Sequence, residues 1–421
     1  MPFNRVKFAQ AVGVSLGVLL VTLTFARSPG TGDMDYWTRW AHHADVYGMT
    51  RGYAEDKADY PPFSSVILLA ALRVSRLFGG GIFEAIKLAL LVFLCLTSLI
   101  FWLWIRNFWL AVGLHLSLLL GSVALGYLDI FFAPALLLAF WALKERKLAW
   151  FTVFYSIACL IKWQPIILAP FILLYLLNIQ QIQDWRQIDF KRLGLQVLFP
   201  ALVILLLTAF AFGVIPILGS LKRAFSHNFL SGNALNFNWI ITHCLHVFYP
   251  RQFGPLINGQ ARFIRTRELE ITFIPRLLFL LSYAVALVSF FRREKTFEGL
   301  LLFALTGYLA YFIFNIGVHE NHWFIAVVLA AVLFWVNSDH LFLMLNLILM
   351  SNINLFLFYG VDGRGLGFSR MITPTVDSAL VLSIFNVGFF LVLWGMTVFY
   401  RSPQMTPATY VAGAVPANSE A

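Results

Sequence analysis

The chain has 421 residues, 60% of them hydrophobic and 12% charged, with a mean hydropathy of +0.80. A water-soluble domain carries about twice that charged fraction, so a soluble globule, a disordered chain and a small disulfide scaffold are excluded. Lys+Arg 30 against Asp+Glu 20 gives a formal charge of +10. In so apolar a chain this excess points to anionic lipid headgroups or a phosphate-bearing substrate rather than to nucleic acid.

An apolar helix of about 20 residues crosses the hydrocarbon core, and runs near that length predict twelve spans. They cover 8–26, 84–105, 108–126, 128–143, 148–162, 163–178, 194–214, 274–291, 299–316, 323–336, 341–359 and 377–400. The first is too long for a signal-peptide core and reads as an uncleaved span. Basic residues in the short connections set the orientation. Arg5, Lys7, Arg106, Lys144, Arg146, Lys147, Arg186, Lys191, Arg192, Arg292, Arg293, Lys295 and Arg401 all fall on one side when twelve spans are walked from a cytoplasmic N-terminus. The expectation is an all-α integral membrane protein, one polytopic domain over 1–400 with two long outer loops (about 28–83 and 215–273) and a disordered cytoplasmic tail at 401–421.

The outer loops are too long and too polar to be plain connectors. In the first, Tyr36, Trp37, Trp40 and Val46 among polar residues predict an amphipathic helix over 35–47 lying at the interface, and 62–78 reads as a membrane-dipping helix closed by Gly79-Gly80-Gly81. The second carries Lys222, Arg223, Arg251, Arg262, Arg265 and Arg267, which are either solvated loop charges or a phosphate or headgroup site. Cys95, Cys159 and Cys244 lie in separate apolar stretches and form no metal or disulfide pattern.

Six short strings carry chemistry-bearing side chains. Gly32-Asp33-Met34-Asp35 follows the first span, where its carboxylates serve either as a helix cap or as surface acid–base groups. Asp59-Tyr60-Pro61-Pro62 holds a carboxylate on a stiff turn, or simply starts a helix with proline. Val318-His319-Glu320-Asn321-His322 has its histidines at i and i+3, not the i and i+4 spacing a helical zinc site needs, so no metal is expected. Gly126-Tyr127-Leu128-Asp129 and Lys162-Trp163-Gln164-Pro165 lie at turns, where a charge either serves a site or snorkels. The amides of 231–239, Asn233 and Asn236 among them, either cap a re-entrant helix or bond sugar hydroxyls. The derived topology puts all six strings at one membrane face. No nucleotide-binding glycine loop and no nucleophile elbow is present.

Taken in order, these strings resemble the GT-C superfamily of membrane glycosyltransferases that use polyprenyl-phosphate sugars, in the branch of mannosyl- and glucosyltransferases. The likeness rests on the Asp33/Asp35 motif, the D-Y-P-P turn at Asp59–Pro62, a K-Q element split by Trp163, an N-A-x-N-x-W string at Asn233–Trp239 with one extra residue, and the V-H-E string at Val318–Glu320. The resemblance implies a GT-C-like bundle and an inverting transfer of a hexose, mannose or glucose, from a polyprenyl-phosphate donor to a hydroxyl of a lipid-linked or glycan acceptor. It implies no cofactor. It implies Asp33 as first choice of general base and Asp35 as second, with Asp59 orienting the acceptor or sharing that role. His319 with Lys162, Arg251, Arg262 or Arg265 would bind the donor phosphate, and Tyr60, Glu320, Asn233 and Asn236 would contact substrate. The implied location is a bacterial plasma membrane or the endoplasmic reticulum, with the site on the non-cytoplasmic side. The rival is a transporter or lipid-sugar flippase, which usually shows repeats and charged residues at the bilayer midplane.

Overall fold

The structure, a computed structural model, describes residues 5–269 and 272–400; the tail expected to be disordered lies outside them. Among the described residues the chain is helical apart from two small ladders. Ser231–Gly232 pairs in parallel with Val318–His319, and Met371–Thr373 pairs antiparallel with Val376–Asp377. Seven helices are long and apolar enough to cross a membrane: Gln10–Arg27, Ile82–Ile105, Phe190–Phe212, Phe273–Phe291, Phe297–Phe314, Ser338–Tyr359 and Ser378–Phe399. This is an all-α, membrane-embedded protein. The other five segments read as spans are helical but shorter: Phe108–Ala124, Leu148–Ile161, Gln164–Leu177 and Glu320–Val336 have 10–17 residues, and Ala133–Lys144 has 12.

Position in the bundle explains two of the short ones. Phe324–Leu333 and most of Ala133–Leu143 are buried, and Phe297–Phe314 is buried along nearly its whole length. A helix apolar on every side is either an interior helix or a membrane span, and burial marks these as interior. The long helices Gln10–Arg27 and Phe190–Phe212 instead keep most of their apolar surface exposed, as lipid-facing helices do.

One broken helix organises the end of the bundle that carries the motifs. Phe108–Leu119 runs into a π-turn at Leu120–Ala124 and stops at Gly126, whose φ of +83° suits glycine. The break leaves interior carbonyls in need of donors. Lys87 Nζ, from Ile82–Ile105, donates to Val123 O at 2.6 Å, and Ser28 Oγ donates to Ala124 O at 2.6 Å. Thr31 N donates to Leu125 O at 2.8 Å. The chain leaving the first span is thereby fastened to the broken end just before Asp33.

The first long loop holds three helices, Asp33–Val46, Met49–Asp56 and Pro62–Leu77. The expected interfacial helix thus begins two residues early, and it buries Met34, Trp37, Trp40, Ala41 and Ala44 against the bundle instead of resting on it. The second loop holds Val214–Phe225 and Phe237–Phe248. A further excursion, 360–377, folds back on the first: Gly30 N donates to Asp362 O at 3.0 Å. Its buried Arg370–Asp377 pair, 3.2 Å apart, holds the Met371–Asp377 hairpin.

Candidate active site

Asp33 opens its helix without capping it; the cap position is Gly32, and no side-chain cap bond forms. Residues two apart on an α-helix point about 200° away from each other, so only one of the paired aspartates can face the bundle. Trp37 decides which one. Its indole Nε1 donates to Gly126 O at 2.9 Å, turning Asp33 into a cavity of about 420 Å³ and leaving Asp35 exposed outside it. Burial pushes the Asp33 carboxyl up to about 6, with Lys162 opposing the shift and Asp59 and Asp129 adding to it.

The Asp59–Pro62 turn supplies the next wall. Pro61 is extended (φ −65°, ψ 164°) and Pro62 opens the Pro62–Leu77 helix, so the helix-start reading holds, and the same turn presents Asp59 and Tyr60 to the cavity. Tyr60 packs on Trp37 and Trp40, ring centroids 5.2 and 5.5 Å away.

Lys162 follows Leu148–Ile161 in extended conformation. It is 2% exposed, and its Nζ donates to Asp129 Oδ1 at 2.6 Å. Asn321 Nδ2 donates to the other oxygen of Asp129 at 2.9 Å. Lys162 also lies 4.9 Å from the Tyr60 ring centroid. Gln164 Nε2 is 2.8 Å from His322 Nε2, and Tyr311 Oη is 3.1 Å from His322 Nδ1.

The Ser231–Gly232/Val318–His319 ladder brings in the last wall. Gly317 N donates to Phe229 O at 3.0 Å, and Gly317, at φ +68°, lets His227 pass where a Cβ would lie 2.7 Å from the His227 Cβ. Gly232 makes similar room for His319, whose Nδ1 is 2.8 Å from where a Cβ would be. His227 and His319 rings come within 5.2 Å of each other, and His227 Nε2 lies 3.5 Å from Asp59 Oδ2. Burial pushes the His319 imidazole down to about 3, helped by His227 and Lys162. His319 is therefore neutral at physiological pH and can offer a phosphate a hydrogen bond but not a charge.

Of the residues singled out from the sequence, Asp33, Asp59, Tyr60, Lys162 and His319 share this cavity. Of the other residues given a role from the sequence, Asp35, Arg251, Arg262, Arg265, Asn233, Asn236 and Glu320 do not line it. Arg251, Arg262 and Arg265 are exposed outside the cavity wall; Arg265 pairs through its backbone with Phe229, which does line it. Asn236 caps Phe237–Phe248, accepting from Trp239 N at 3.0 Å and donating to Phe312 O at 3.0 Å; both ends of its amide are spoken for by the fold. Asn233 donates to Tyr359 Oη at 3.0 Å, and Tyr359 donates to Glu320 Oε1 at 3.0 Å. Glu320 also accepts from Tyr127 and is 3% exposed, so it stands behind the wall.

Sequence reasoning gave no role to His227, Asn321, His322 or Arg39, which line the cavity. Asn321 and His322 adjoin the V-H-E string and Arg39 lies in the predicted amphipathic helix; His227, in an unpatterned loop, left no signal. Among the described residues no group of three or more His, Cys, Asp or Glu side chains is placed to hold a metal ion.

A second cavity, about 330 Å³, opens between Leu148–Ile161, Ala169–Leu177 and Phe199–Phe212. Its lining is almost wholly apolar, with Phe151, Ile172, Leu173 and Ile204 among it, and Trp163 forms part of both cavities. A polar chamber and an apolar one thus share a tryptophan wall. The chain matches no protein-family model and no curated protein.

Proposed function

We propose that this protein is an inverting glycosyltransferase that moves a hexose, with mannose or glucose favoured, from a polyprenyl-phosphate donor to a hydroxyl of a lipid-linked or glycan acceptor. The observation that supports this most is the meeting of Asp33, Asp59, Lys162 and His319, drawn from four distant segments, in one chamber beside an apolar cavity suited to a lipid chain. In this reading the chain crosses the membrane twelve times with both termini in the cytoplasm. The chamber then opens on the non-cytoplasmic side of a bacterial plasma membrane or of the endoplasmic reticulum.

The chemistry needs one base. The acceptor oxygen forms its bond to the anomeric carbon as the bond from that carbon to the phosphate oxygen breaks. The bonding pair leaves with the phosphate, and the acceptor proton passes to a carboxylate. Asp33, raised to about 6, is mostly ionised at neutral pH yet basic enough to take that proton. Asp59 orients the acceptor. The departing phosphate needs donors rather than an acid. Lys162 retains ammonium hydrogens beyond the one given to Asp129, His319 adds a neutral donor, and Arg39 and Lys57 line the same chamber.

The test is sugar transfer by protein reconstituted in lipid, offered radiolabelled polyprenyl-phosphate hexoses and a membrane glycolipid extract. Transfer from one donor, lost in Asp33→Asn, is the expected result. Donor that is neither bound nor consumed, with labelled lipid-sugar instead moved across the bilayer, would turn the assignment to a flippase.

A further inference from the structure

The charges of the chamber do not balance. Lys162 is committed to Asp129 at 2.6 Å. Asp56 has His43 at 2.7 Å and Arg39 at 3.9 Å. Lys57, the remaining cation of the lining, is exposed to solvent and so belongs to the mouth. Two carboxylates are left inside. Asp33 has no ion-pair partner among the described residues, and Asp59 has only His227, at 3.5 Å. His227 and His319 add no compensating charge, because burial holds each imidazole toward its neutral form. The interior therefore offers negative charge to whatever enters, and Lys57, the one lining cation without an anionic partner among the described residues, stays at the mouth.

We infer that the chamber selects sugars by charge: it accepts a ring that presents only hydroxyls, favours one that carries an amine, and turns away acidic sugars, with Asp59 as the discriminating residue. This rests on the glycosyl-transfer reading for its setting and names the class of sugar that reading leaves open. A uronate held about 6 Å from one unpaired carboxylate, at an effective dielectric of about 20, is disfavoured about 100-fold.

The experiment is ligand-observed NMR on the full-length protein in lipid nanodiscs. Its probes are four methyl glycosides of one hexose series: the hexoside, the 2-amino hexoside, the hexuronide and the methyl ester of that hexuronide. The expected order is amino hexoside at least as tight as hexoside, the ester close to the hexoside, and the hexuronide weaker by about 30-fold or more. Asp59→Asn should narrow the gap between hexuronide and hexoside by about tenfold, the remainder being left to Asp33. The ester keeps the test decisive if that variant does not fold, since it removes the charge from the ligand instead. Acid and ester binding alike, or an Asp59→Asn protein with the gap intact, overturns the inference. A parallel transfer assay with polyprenyl-phosphate hexose separates the two readings. Charge-ordered glycoside binding without any transfer refutes the enzyme assignment and leaves the selectivity standing.

Discussion

Lys162 and Asp129 make the sharpest test of whether the chamber is built as described. Both are 2% exposed and meet at 2.6 Å. Lys162→Met would leave Asp129 with one neutral donor, Asn321 at 2.9 Å, and no cation. Removing one member of a buried ion pair costs about 3–5 kcal/mol, because the remaining charge keeps its desolvation penalty without its partner. Removing both is different. In Lys162→Met/Asp129→Leu no charge is stranded, and the residual loss is that of the buried Asn321 amide left without its acceptor, about 1–3 kcal/mol. The double variant should thus be more stable than either single one, with a coupling of about 2 kcal/mol or more. Reversible denaturation in mixed micelles, run on the four proteins of the cycle, measures that coupling. Additive losses, within about 0.5 kcal/mol, would mean the pair is not buried together. The double variant also bears on role: if Lys162 serves the donor phosphate, stability returns in it while donor affinity stays low.

Three further outcomes follow from the same geometry. Asp33→Asn should cost about 10²–10⁴-fold in transfer rate, while Asp35→Asn, outside the chamber, stays within about threefold of wild type; equal losses would undo the helix-face argument. The transfer rate should rise with pH through a midpoint near the Asp33 value of about 6, because the base acts only when ionised, and a profile flat between pH 5 and 8 would exclude Asp33 as that base. Gly317→Ala should lower the thermal midpoint and the transfer rate together, since the methyl meets His227 at 2.7 Å and the φ of +68° is strained for alanine at about 1 kcal/mol or more. An unchanged protein would show that His227 is not held there.

What the sequence disclosed follows from the physics each signal carries. Apolar length is local, so every stretch read as a span is a helix, while distance from lipid is not local. Nothing in 133–144 or 324–336 says that these helices are interior. The tie between Asp33 and Asp35 could not be broken from sequence, because the deciding contact is Trp37 to Gly126 across 89 positions. The second-loop arginines read either as solvated loop charges or as phosphate ligands by type and loop alone; the fold leaves Arg251, Arg262 and Arg265 exposed and outside the cavity lining. His227 was invisible because its position depends on Gly317, 90 residues later, where no motif signals a glycine needed for backbone room.

The break at Gly126 connects fold and chemistry. A continuous helix through 108–131 would satisfy its own carbonyls and need neither Lys87 nor Ser28. Because it stops, those carbonyls recruit the first loop, Thr31 is pinned to Leu125, and Trp37 takes Gly126 O. The same break turns the chain into the short 3-10 segment that buries Asp129 opposite Lys162. One interruption thus fixes the Asp33-bearing helix on one side and pairs the interior lysine on the other. The unpaired negative charge of the chamber is a consequence of this arrangement: the ammonium that could have balanced Asp33 and Asp59 is held by the carboxylate the break delivers.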